Sequence, residues 1–122
     1  MAKSLENTQT KENLLKAFAG ESMARNRYTY YAKKAEEEGY IQISNIFLET
    51  ACNEKEHAKR FFDLIGEENI PITITNATYP TGLSEKTADN LKFAADGEHE
   101  ENTILYPNFA KIAEEEGFDK VK

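Results

Sequence analysis

Apolar residues recur along this chain at alternating steps of three and four, and three such runs end at a glycine. The first stripe is Leu14, Ala17, Glu21, Ala24, Tyr28, Tyr31 and Ala35. That spacing lines one face of an α-helix. The helix is predicted to follow Thr8 or Thr10 as N-cap, to run to about Glu38 and to stop at Gly39. A second stripe, Ile43, Phe47, Thr50, Glu54, His57, Phe61 and Leu64, predicts a helix from about Ile41 to Ile65, stopped by Gly66. A third helix is predicted to begin after Ser84 or Thr87 and to reach about Glu116, stopped by Gly117. Its stripe opens Leu91, Ala94, Glu98, Glu101, Leu105.

The segment from Glu67 to Gly82 breaks the helical pattern. Ile70-Pro71-Ile72-Thr73-Ile74-Thr75 and Tyr79-Pro80-Thr81-Gly82 are β-branched and punctuated by proline, which argues against helix. Extended, such a segment spans roughly 50 Å. A helix as long as the second one measures about 38 Å. The segment can therefore carry the chain from one end of a bundle to the other, as a long crossover. The short Gly39-Tyr40 link instead makes its two helices antiparallel.

Helices one and three repeat each other. Ala32-Lys33-Lys34-Ala35-Glu36-Glu37-Glu38-Gly39-Tyr40 returns as Ala110-Lys111-Ile112-Ala113-Glu114-Glu115-Glu116-Gly117-Phe118. Tyr28 matches Tyr106 at the same offset of 78, but Gly20-Glu21 matches Gly97-Glu98 at 77. One residue has been inserted between Glu98 and Tyr106. A helix absorbs such an insertion as a π-bulge, often at a functional site. Pro107, which has no N–H to give the carbonyl of Thr103, suits the same irregularity. In the first copy Glu54 and His57 follow Tyr40 by 14 and 17 residues. The same distances from Phe118 pass Lys122, so a fourth helix with a second Glu-x-x-His is expected from a partner chain or is absent.

Composition narrows the partners. A net charge of −7 argues against nucleic acid or an anionic membrane. No apolar run approaches 18 residues and Met1 to Glu6 carries no signal-peptide core, which points to the cytoplasm. The single cysteine, Cys52, leaves no internal disulfide, no Cys-based zinc site and no rubredoxin-type iron site in these residues. It reads as a small core or boundary residue. The runs Glu36 to Glu38 and Glu114 to Glu116 read as solvated helix ends.

The chemistry lies where the stripes are broken. Glu21, Glu54, His57, Glu98 and Glu101 occupy core-facing positions. A buried polar group without a partner costs roughly 2–7 kcal/mol. Carboxylates converging with a histidine avoid that cost by binding a metal cation. Glu54-x-x-His57 and Glu98-x-x-Glu101 each place two ligands one turn apart, and Glu21 adds one from a third helix. Carboxylate oxygens with an imidazole suit iron or manganese better than structural zinc. The pattern resembles the ferritin-like di-iron arrangement. The expected fold is accordingly all-α, a ferritin-like four-helix-bundle type over residues 1–122 with only three long helices encoded. Tyr28 and Tyr106, about two turns from Glu21 and Glu98, are expected to donate to the carboxylates. His99, off the stripe, reads as solvated.

The runs Leu14-Leu15-Lys16-Ala17-Phe18-Ala19-Gly20-Glu21-Ser22 and Ala24-Arg25-Asn26-Arg27-Tyr28-Thr29-Tyr30, with Asn53-Glu54-Lys55-Glu56-His57-Ala58 and Gly97-Glu98-His99-Glu100-Glu101, resemble rubrerythrin. The resemblance implies a non-haem di-iron peroxidase that reduces hydrogen peroxide to water as diferrous iron becomes diferric. It implies two iron ions per complete site, with manganese or zinc as substitutes, held by Glu21, Glu54, His57, Glu98 and Glu101. It implies roles for Glu98, Tyr28 and Tyr106 in catalysis, Glu98 as the extra carboxylate linked to a metal shift. The rubredoxin domain of the family is absent from these residues, so an external electron donor such as rubredoxin is expected. A homo-oligomer, a dimer, or a chain supplying the fourth helix is expected as partner. The alternatives are an iron-binding or ferroxidase-type protein and a largely inactive helical fragment that assembles with another chain.

Overall fold

The structure, a computed structural model, describes residues 8–66, 69 and 71–118. Helix α1 spans Gln9–Glu37, and Thr8 caps it by accepting a hydrogen bond from the Lys11 amide at 3.2 Å. Thr10 lies inside the first turn. Helix α2 spans Ile41–Ile65. Between them Gly39 takes φ +86°, a left-handed conformation that costs glycine little and other L-residues more. It donates to the Glu36 carbonyl, and Tyr40 donates to that of Ala35. The turn is tight and the two helices pack antiparallel along their length.

The third helical arm has three sections: α3, Thr87–Glu100; a π-helical turn, Glu101–Leu105; and α4, Tyr106–Glu115. The π turn falls within the interval where the repeat carries its extra residue. The Tyr106 amide reaches back five residues to the Glu101 carbonyl. Pro107, second in α4, sits just past this turn. Neither Ser84 nor Thr87 is the residue before α3, which is Lys86. Ser84 is instead held by Asn90, whose Oδ1 accepts from the Ser84 amide and whose Nδ2 donates to the Ser84 carbonyl. Gly117, with φ +87°, repeats the turn at Gly39, and Phe118 donates to Ala113 as Tyr40 does to Ala35.

The crossover contains no helix or strand among its described residues; Glu67, Glu68 and Ile70 lie outside them. It climbs beside α1 in the same direction. Thr75 donates to Glu12, the Tyr79 hydroxyl to the Lys16 carbonyl, Arg27 to the Pro80 carbonyl and the Tyr31 hydroxyl to the Gly82 carbonyl. Lys34 pairs with Glu85 at 2.7 Å. The chain thus returns to the C-terminal end of α1 before α3 begins, as the expected long crossover requires.

At each end the two repeat copies clamp each other. Glu38 accepts from the amide and hydroxyl of Thr87, and Glu116 accepts from the amide and hydroxyl of Thr10. Thr87 is the repeat counterpart of Thr10. The last glutamate of each acidic run is therefore docked on the opposing helix N-terminus, where a carboxylate is favoured by free amides and by the helix dipole. Only Glu36, Glu37, Glu114 and Glu115 fit the solvated reading.

Ala24, Tyr28, Tyr31, Ala32, Phe47 and Ala51 form the core, with Tyr31 and Phe47 edge to face at 5.4 Å. The α1 stripe is buried as its spacing predicts. The α2 stripe is not. Its buried line is Ser44, Phe47, Ala51, Glu54 and Ala58, while Thr50 is half-buried and His57 exposed. The reason is that α2 packs against α1, and its buried line is the one that faces α1. One face of α2 and of the third arm is uncovered among the described residues, leaving Ile46 and Leu91 60% and 43% exposed. Cys52 is exposed too, correcting its core assignment.

Thr10→Val removes a buried hydroxyl from the Glu116 carboxylate. It is expected to cost about 1.5–3 kcal/mol, the range for a hydrogen bond to a charged group. Thr29→Val, at an exposed hydroxyl, is expected to cost less than about 0.5 kcal/mol. Urea unfolding of the two variants checks the contrast.

Candidate metal centre

Three helices bring their acidic stripe-breaks together midway along the bundle. Glu21 of α1 is 2% exposed and Glu54 of α2 is 4% exposed. One ligand atom from each of Glu21, Glu54 and His57 lies within 4.8 Å of the others. The His57 Nδ1 stands 3.6 Å from Glu21 Oε2 and 3.8 Å from Glu54 Oε2. Both of those oxygens are buried without a hydrogen-bond partner among the described residues. Two buried carboxylate oxygens turned to one imidazole nitrogen, with nothing to satisfy them, fit a divalent cation. The residues present fit the metal expected from the sequence.

The remaining oxygens are held in a mirrored pattern. The Tyr106 hydroxyl donates to Glu21 Oε1, and the Tyr28 hydroxyl donates to Glu98 Oε1 at 2.9 Å. Each tyrosine of one repeat copy serves the glutamate of the other, so both donate to carboxylates as expected. Burial raises the pKa of both phenols, and the neighbouring Glu98 and Glu21 carboxylates raise Tyr28 and Tyr106 respectively still further, so both remain protonated donors. The Tyr106 ring also packs on Phe61 at 5.6 Å, linking α4 to α2.

This mirror symmetry makes Glu98 the counterpart of Glu21. Glu101 has no counterpart, because Ala24 stands at the matching place in α1. Glu101, the first residue of the π turn, is thus the carboxylate without a repeat counterpart. Glu98 and Glu101 lie outside the tight Glu21, Glu54, His57 group, yet their charges reach it. Burial pushes the Glu101 carboxyl up to about 7, with Glu21 and Glu98 adding to the rise and Arg27 opposing it. Burial likewise raises Glu21, against the hydrogen bond from Tyr106 and the charge of His57. His99 is exposed and outside the group.

The helical frame and this acidic cluster define an all-α carboxylate–histidine protein. A family model described as Rubrerythrin matches residues 12–122, and the chain belongs to that family. It is 58% identical over 120 residues to the rubrerythrin of Clostridium perfringens and 60% identical over 121 residues to rubrerythrin-1 of Clostridium acetobutylicum. Each alignment takes in 98% of this chain and 62% of the relative, so the chain spans under two thirds of their length. A solved structure titled as the fully reduced, all-ferrous state of nigerythrin superposes with a TM-score of 0.75 at 32% identity, covering 98% of this chain and 60% of that one.

The apo protein is expected to be more stable at pH 5.5 than at pH 7.5. Glu101 has a folded pKa of about 7 against 4.5 for an ordinary glutamate, and Glu21 is raised as well. Between those values the folded state binds protons that the unfolded state has released. The resulting stability is complete below the unfolded pKa and is lost as pH rises through the folded one. Melting temperatures of metal-free protein across this range provide the check; a steady fall from pH 7 to pH 5.5 contradicts the assignment.

Proposed function

We propose that this chain is the helical part of a non-haem di-iron peroxidase of rubrerythrin type, reducing hydrogen peroxide to water with electrons from an external donor such as rubredoxin. The observation that carries the reading is the pair of orphaned buried oxygens on Glu21 and Glu54 facing His57. Glu21, Glu54 and His57 would hold one iron, and Glu98 and Glu101 would contribute toward its neighbour. When bound, a diferrous pair supplies the two electrons that, with two protons, convert one peroxide into two waters. Manganese or zinc are the substitutes the same donors would accept.

The rest of the work falls to the chain. Tyr28 and Tyr106 fix one oxygen of Glu98 and of Glu21, leaving the other oxygen of each carboxylate for metal. Such outer hydrogen bonds orient ligands and set their basicity. Glu101, with a pKa near 7, can hold or release a proton at its carboxylate beside the site. The raised phenol pKa values keep both tyrosine protons in place. Among the described residues no helix is long and apolar enough to cross a membrane.

A second reading, iron binding with ferroxidase chemistry, draws on the same ligands. The surplus Glu101 favours peroxide reduction, since a simple iron-oxidising site does not require it. Glu54→Ala or Glu21→Ala is expected to lower bound iron sharply while changing apo stability by less than about 1 kcal/mol, because removing one acid also relieves like-charge repulsion. Iron content by plasma emission and urea unfolding separate the two effects. Iron content unchanged in either variant removes that residue from the ligand set.

The open faces of α2 and the third arm border one trough, bounded by Phe61, Asn102, Tyr106 and Pro107 and floored by Leu14 and Ala17. His57 lies on the open side of α2. Assembly with a second copy, or with a chain carrying the fourth helix, covers this face and completes the second half of the centre. The 122-residue chain, 13.9 kDa, is expected to run as a dimer or larger species in native mass spectrometry at micromolar concentration. A cooperatively melting monomer contradicts that expectation.

A further inference from the structure

We propose that the site also accepts organic hydroperoxides, with the alkyl or aryl tail lodged in a cavity between α1, the crossover and the third arm. This rests on the di-iron peroxidase reading. The cavity measures about 170 Å³ and lies on the crossover side of α1. An apolar cavity of about 150 Å³ holds a benzene molecule. Hydrogen peroxide, two oxygen atoms across, needs far less room, and its polarity gains nothing from apolar walls. Ala17, Tyr79, Pro80, Leu105 and Phe109 give the cavity apolar walls, with Lys16, Arg27 and Glu100 also on its lining. Glu101 and Tyr106, the surplus carboxylate and the phenol that holds Glu21, also line it. A tail in the cavity would bring its hydroperoxide group beside Glu101 and Tyr106, and through Tyr106 next to Glu21.

Two glycines keep the space open. Gly20 and Gly97 are repeat counterparts, each just before a site glutamate, and both line this one cavity. A Cβ added at Gly97 would meet nothing within 4 Å. At Gly20 it would make only ordinary contact with the Tyr79 ring at 3.5 Å. Neither packing nor a left-handed backbone calls for glycine at these helical positions, and alanine is the better helix former. What the missing side chains leave is volume. Each turnover would take two electrons from the ferrous pair and two protons, break the O–O bond and release the alcohol ROH and one water.

The test uses cumene hydroperoxide, hydrogen peroxide and the inert product analogue 2-phenyl-2-propanol. In the iron-loaded wild type, cumene hydroperoxide is expected to be reduced, and Gly97→Leu, which fills the cavity, to lower its kcat/KM at least tenfold while hydrogen peroxide changes less than about twofold. In the metal-free protein, 2-phenyl-2-propanol is expected to shift the NMR signals of Leu105, Phe109 and Tyr79, and the shifts to vanish in Gly97→Leu. Gly97→Ala, which favours the helix, should give an intermediate loss and guards against misfolding of the leucine variant. Wild-type protein that reduces hydrogen peroxide but shows no such shifts overturns the pocket alone. Shifts in a protein that neither keeps iron nor reduces hydrogen peroxide support the pocket and overturn the peroxidase reading. Equal loss of both peroxides in Gly97→Leu also overturns the pocket.

Discussion

Two buried carboxylate oxygens that no donor among the described residues satisfies, one on Glu21 and one on Glu54, set the terms for the rest of this structure. Removing such charge from water is costly enough that a bundle tolerates it only where a counter-ion is supplied. The neighbouring groups make the cluster tolerable without neutralising it. Tyr106 takes one Glu21 oxygen, Tyr28 takes one on Glu98, and a raised pKa lets Glu101 shed its charge near neutrality. The acidic centre is thus held in shape by hydrogen bonds whose donors come from outside it.

Those bonds follow from duplication. Antiparallel packing of two like helices sets each tyrosine beside the other copy's glutamate, and each terminal glutamate beside the other copy's threonine. Two polar pairs, each used twice in opposite senses, fix both ends and the middle of the α1–third-arm interface. The departure from symmetry is local. The inserted residue winds the π turn and coincides with the unmatched Glu101. The π turn absorbs the inserted residue, so Tyr106 keeps the register on Glu21 that Tyr28, in the copy without an insertion, has on Glu98.

The helix limits, the crossover and the π turn were legible because each rests on local signals: glycine at a positive φ, proline, and a broken repeat offset. The convergence of Glu21, Glu54 and His57 was legible because each breaks the apolar stripe of its helix. The rotation of α2 was not, since its apolar pattern is written for a fuller set of neighbours than α1 and the third arm provide. Nor were the clamps at Glu38 and Glu116, because an acidic run at a helix end reads the same whether it meets water or a distant helix. Which tyrosine serves which glutamate needed the antiparallel placement.

The clamps also bear on how the chain reaches this state. Helices α1 and α2 adjoin in sequence and can collapse as a hairpin with little loop-closure cost. Thr10 and Glu116 are 106 residues apart, so their bond forms only when the third arm docks. The hairpin alone gathers Glu21, Glu54 and His57 while their charges still face solvent on one side. The electrostatic burden then falls on the docking step, which brings Glu98 and Glu101 against them. A cation present during synthesis would bind the half-built hairpin and draw the third arm in, making metal supply a determinant of folding speed as well as of chemistry.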